Sequence, residues 1–218
     1  MKQLIRTLVT CCGLTVGIAH SAGSTYDPAL CADSFDKSMV RDFYRLLQPG
    51  APPPIPSREL ALVETKIVSG LPPSESTGTA ASREIYEQIW KTIDTWGGEN
   101  RITLVVTVDG FHAWAFPSQV PITRTPAPEA FYDMYAQGDD GVHAHINPDL
   151  ISMIYAVRLR ARNGEYLRAV NFYGENGHLV VGVYATEPGK QRADRVIEGF
   201  ERTWDAIEAL PGACRIDE

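Results

Sequence analysis

Cysteine is scarce in this chain. It has four, of which Cys11 and Cys12 fall inside the first apolar segment and Cys31 and Cys214 stand near opposite ends. The last two lack the paired spacing of zinc ligands, which argues against a cysteine-built metal centre. Long hydrophobic runs are missing as well, since the apolar stretch from Leu8 to Ala19 falls short of the roughly 20 residues that span a bilayer. Cations are outnumbered, with 20 Lys and Arg against 27 Asp and Glu and a formal net charge of -7. An acidic chain of this kind is a poor nucleic-acid binder, because such binders present a basic face. No GxSxG nucleophile elbow, P-loop or dinucleotide fingerprint occurs, so the commonest enzyme classes have no anchor here.

What is present begins with Lys2 and Arg6, then the apolar run, then small residues with no acid among them. This is the pattern of a secretory signal peptide, with Ala19 and Ser21 as the small residues before a cut. Residues 1–21 are expected to be removed and the rest exported, to a periplasm or beyond the cell. In an oxidising compartment Cys31 and Cys214 make the obvious disulfide, the alternative being two free buried thiols. Such a bridge would close a loop around nearly the whole domain, for roughly 4 to 5 kcal/mol in the chain-entropy picture.

Apolar periodicity divides the remainder. Phe35, Met39, Val40, Phe43, Leu46 and Leu47 recur at helical spacing, and "PGAPPPIP" at 49–56 then interrupts the chain. Residues 22–56 are therefore read as an N-terminal helix and proline-rich linker, and 57–218 as the main domain. Ser57 caps a second predicted helix through about Val68, and "PPSESTGTAAS" reads as loop. Ser82 opens a third helix with Ile85, Ile89, Trp90, Ile93 and Trp96 on one stripe. From Arg101 the period becomes two, and "RITLVVTVDGFHAWAF" predicts a hairpin turning at Asp109-Gly110. A two-residue turn would set His112 opposite Thr107, with Val106 on the other face. Strands are predicted at 142–146, 151–160, 165–173 and 178–186, and a closing helix from about Lys190 to Leu210. Helices, then an antiparallel sheet, then a C-terminal helix make an α+β fold.

The segment "GVHAHI" at 141–146 holds the best candidates for chemistry. In an extended strand His143 and His145 point one way and Val142, Ala144 and Ile146 the other. Two aligned imidazoles suit iron, zinc, heme or proton transfer; the plain alternative is a solvated strand edge. Asp139 and Asp140 could orient an imidazole or belong to a solvated turn.

The succession "GLPPSE", "IYEQIWKTIDTWGG", "ITLVVT", "SQVP", "GVHAHI" and "AVNFYGENGHLVVGVY" resembles the ChuX/HutX heme-utilisation carriers, themselves related to half of a HemS-type protein, over about residues 60–205. The resemblance implies a split sheet with helices, frequently dimeric, that binds heme non-covalently for carriage, storage or utilisation. The histidine of the family's Gly-His-Ile element falls on His145, making it the first choice of iron ligand, with His143 as helper. A second family histidine falls on Val106 and is missing. The family's carriers are cytoplasmic, whereas this chain reads as exported.

Heme needs an apolar cleft, an axial donor and basic groups for two propionates. Trp114, Phe116, Tyr155, Phe172 and Tyr184 are candidates for the cleft wall, and Arg158, Arg160 and Arg168 for the propionates. The leading expectation is an exported heme-binding protein with an unidentified delivery partner and no membrane span in its mature form. The alternatives are an enzyme acting on a tetrapyrrole or through a His-bound metal, and a heme-free relative serving as an interaction or small-ligand module.

Overall fold

Asp33 starts the first helix by a capping box. Its carboxylate accepts the Asp36 N–H at 2.8 Å, and the Asp36 carboxylate accepts the Asp33 N–H at 3.3 Å, so two otherwise orphaned donors are satisfied. The structure, a computed structural model, describes residues 28–108, 112–123, 131–137 and 141–214. Helix α1 is Ser34–Asp42, continued by a wider π turn over Phe43–Leu47. The proline-rich stretch is not only a linker: helix α2 is Pro54–Leu60, and proline is tolerated at a first helical position because its missing N–H has no partner there anyway. Ala61 turns left-handed at φ 53° and ends α2. The single helix expected from Ser57 to Val68 is thus two, with α3 at Glu64–Gly70. The expected loop before residue 82 contains strand β1, Ser76–Ala80.

Helix α4 is Arg83–Asp94, capped by the Ser82 hydroxyl on the Ile85 N–H. The strands follow as β2 (Arg101–Val108), β3 (His112–Gln119), β4 (Ile122–Thr123), β5 (Tyr132–Tyr135), β6 (His143–Ile146), β7 (Ile151–Arg160), β8 (Tyr166–Gly174) and β9 (Leu179–Thr186), and α5 (Asp194–Glu208) closes the order. They form a six-stranded sheet, β1-β7-β8-β9-β2-β3, and a three-stranded sheet, β4-β5-β6. Every pairing is antiparallel. This is the α+β arrangement expected, with helices before the sheet and one after it. Among the described residues no helix is long and apolar enough to cross a membrane.

Alternation along the central strands gives the large sheet two apolar faces. Ile154, Phe172 and Val183 meet Trp90 of α4 and Phe200 and Trp204 of α5 on one side. Met153, Val157 and Tyr173 meet Val40, Phe43 and Ile67 of the N-terminal helices on the other. Cys31 and Cys214 are joined, with their Cα atoms 5.8 Å apart.

One register differs from expectation. Val108 pairs with His112 and Val106 with Trp114, so three residues rather than two separate the strands, the next most common hairpin length. A one-residue slip reverses faces, and His112 therefore shares a face with Val106 instead of opposing it. The slip sets Leu104 against Phe116 and Val106 against Trp114, apolar cross-strand pairs of the kind that stabilise a sheet. Residues 1–21, Asp109-Gly110 and the Asp139-Asp140 pair lie outside the described residues.

Candidate functional site

The three-stranded sheet is short, but its sequence alternates cleanly. In "YDMY" Tyr132 and Met134 turn into the core, and in "HAHI" Ile146 joins them. The intervening positions form the outer face, where β5 and β6 pair Asp133 with His145 and Tyr135 with His143. His143 and His145 thus share one face, as the alternation predicts.

The side chains on that face are organised by one another. His145 Nδ1 is hydrogen-bonded to Asp133 Oδ1, which favours the tautomer with its proton on Nδ1 and leaves the Nε2 lone pair for a metal. The His143 ring stacks on Tyr135 with centroids 4.1 Å apart, and the two imidazole centroids are 4.3 Å apart. Phe131 stands edge-on to His145 at 6.4 Å. The His145 side chain is 55% exposed and that of Asp133 26%, so an incoming group reaches them from solvent. One ligand atom from each of Asp133, His143 and His145 lies within 4.8 Å of the others.

The inner side of β6 is different in kind. Ala144 and Ile146 help line an apolar cavity of about 130 Å³, together with Leu104, Val106, Phe116 and Met134. That is well below the roughly 300 Å³ at which pockets for drug-sized ligands begin. Val106, the position where the resemblance implies a histidine, lines this cavity. His112 and Trp114 continue the same sheet face outward, and both are exposed. The histidine pair and the apolar cavity therefore occupy opposite faces of one strand.

The other expected site residues are not gathered here. Arg158 and Arg168 sit opposite one another on β7 and β8 and share Glu201 of α5 at 3.3 and 3.1 Å. Arg158 also lies over the Trp204 ring, 4.2 Å from its centroid. Their contacts hold the last helix on the six-stranded sheet. The five aromatics do not wall one cleft: Phe172 is buried beneath α4, Tyr155 and Tyr184 are buried on the opposite face of the sheet, and Trp114 is exposed. Only Phe116 of the five lines the cavity. His178 is committed to Glu64, Nδ1 to Oε2 2.7 Å.

Sequence reasoning missed Asp133, Tyr135 and Phe131. The signal was the alternation in "FYDMY", whose strand is only four residues long. The acids next to the histidines in sequence are Asp139 and Asp140, whereas Asp133 arrives across the sheet.

Residues 79–202 match the sequence model of the family described as Haem utilisation ChuX/HutX. No curated protein matches the chain by sequence. Among solved structures, a protein from Erwinia carotovora superposes with a TM-score of 0.61 at 17% identity, covering 79% of this chain and 98% of that one. The heme-binding protein ChuX gives 0.59 at 12% identity, covering 79% and 99%. ChuS, described as an E. coli heme oxygenase, gives 0.57 at 14% identity over 79% of this chain and 50% of its own. At these identities the structural likenesses establish the fold.

Proposed function

The chain belongs to the Haem utilisation ChuX/HutX family, and on that premise we propose that it is an exported heme-binding protein that carries or buffers heme, with His145 as the axial donor. The observation that supports this most is the Asp133–His145 pair: a carboxylate on Nδ1 fixes the orientation of the ring, the arrangement that metal-bound imidazoles ordinarily have. His143 is close enough to take over or assist, and Phe131 and Tyr135 supply aromatic surface beside the donors. Heme when bound supplies an iron that accepts such a nitrogen. The two imidazoles stand side by side on one strand, so they approach from the same side and one of them ligates at a time.

The small apolar cavity leaves the macrocycle to the outer face of β5 and β6. Arg158 and Arg168, expected to meet the propionates, are instead paired with Glu201 of α5 on the six-stranded sheet, away from the outer face of β5 and β6. Export is supported by the Cys31–Cys214 bridge, because disulfides persist in oxidising compartments and are rare in reducing ones.

Heme added to the purified disulfide-bonded protein tests the reading. A saturable Soret shift at one heme per chain, stable to added reductant without loss of the bound heme, is the expected result. Absence of a saturable shift overturns heme binding, and consumption of the heme on reduction overturns carriage in favour of an enzyme.

A further inference from the structure

Two imidazoles side by side serve a single axial position poorly, but they suit coordination of one ion by neighbouring ligands. From the grouping of Asp133, His143 and His145, with one ligand atom of each within 4.8 Å of the others, we propose that this face chelates a divalent transition-metal ion in the absence of heme. The inference goes beyond the heme reading and does not depend on it.

The donor set selects the class of ion. Two imidazole nitrogens and one carboxylate oxygen favour zinc, nickel, cobalt or ferrous iron; calcium and magnesium prefer oxygen alone. Two-His, one-carboxylate sets leave the remaining coordination positions open to water or a small ligand, and the 55% exposure of the His145 side chain provides that access. Each donor is already held. Asp133 and His145 are paired directly across β5 and β6, and His143 is stacked on Tyr135, so little side-chain freedom is lost on binding. An ion seated between Asp133 and His145 takes the Nδ1 lone pair, and the neutral ring keeps its single proton by carrying it on Nε2. His178 pairs with Glu64 in the same way, but among the described residues no third donor joins that pair.

Cobalt(II) titrated into the heme-free, disulfide-bonded protein gives the direct test, read by its visible d–d absorption and by calorimetry, with zinc as competitor. One ion per chain is expected, displaced by zinc. His143→Ala and His145→Ala should each weaken binding at least tenfold, Asp133→Asn should weaken it also, and His112→Ala should leave it unchanged. All three ligand positions face outward on strands, and circular dichroism verifies that each variant folds. Failure of the wild type to bind saturably, or equal binding by the His143→Ala/His145→Ala double variant, overturns the site. Heme titrations on the same proteins separate the two readings. A normal Soret shift without cobalt binding removes the ion site and leaves heme. Cobalt binding that depends on the histidines but is undiminished in heme-loaded protein confirms the ion site and moves heme elsewhere.

Discussion

Asp133 decides what His145 can do. With the carboxylate on Nδ1 the ring is oriented and its far nitrogen is free, and outer partners of this kind typically contribute 10- to 100-fold in metal affinity. Asp133→Asn should therefore lower heme affinity by about that factor with an unchanged circular dichroism spectrum; affinity equal to wild type would show the pairing to be incidental. The shared face of His143 and His145 was legible from alternation alone, because a strand's period is two. Asp133 was not legible, because a cross-strand neighbour is known only once register is known. His112 shows the same limit, since one extra loop residue moved it to the face of Val106. Elsewhere, burial raises the hydroxyl pKa of Tyr44, Tyr86, Tyr173 and Tyr184 well above the ordinary tyrosine value, with neighbouring tyrosines or acids adding to the effect. The folded chain holds these protons where the unfolded chain releases them. Their contribution to stability is complete below about pH 10 and declines as pH rises through the higher folded values. Tyrosinate absorbance from these four should thus appear together with unfolding, and their ionisation near pH 10 in a chain with native circular dichroism would contradict the burial.

At the scale of elements, α4 and α5 carry the packing beneath the six-stranded sheet. Trp90, Trp96, Phe200 and Trp204 are each at most 2% exposed, and replacing one by Ala should cost about 3 to 5 kcal/mol through the cavity left behind. Heme binding in these variants should fall only as far as stability falls; selective loss at an unchanged melting temperature would place the pocket among them. Helix α5 packs closely on Trp96, two residues past the end of α4, because residue 199 is glycine. A Cβ there would meet Trp96 Cδ1 at 2.4 Å, so Gly199→Ala should destabilise by about 1 to 3 kcal/mol, measured by urea unfolding. Both helices were readable from their apolar stripes. Strand β1 was not, because "STGTA" has no apolar alternation and its place is set by pairing with β7. Helix α2 was hidden by prolines that suit a helix start as well as a linker.

Across the whole molecule, the Cys31–Cys214 bridge joins residues 183 apart in sequence, and the chain-entropy picture assigns a loop of that length about 5 kcal/mol. Reduction should lower the unfolding midpoint markedly, and intact mass should show no alkylated cysteine before reduction; two free thiols in oxidatively expressed protein would remove the bridge. The fold was legible as a class because the order of periodicities set it, and the Cys pair because only two cysteines lie beyond the N-terminal apolar segment. The site was legible only in part, since the histidines sit on a small second sheet whose partner strand was not foreseen. Which side of β6 receives heme is the central question. Heme titration of His145→Ala beside His112→Ala decides it. His145→Ala should abolish or strongly shift the Soret band while His112→Ala leaves it as in wild type, whereas loss of the band in His112→Ala with an unaltered spectrum in His145→Ala would contradict the outer-face site and place heme over Val106 and Trp114.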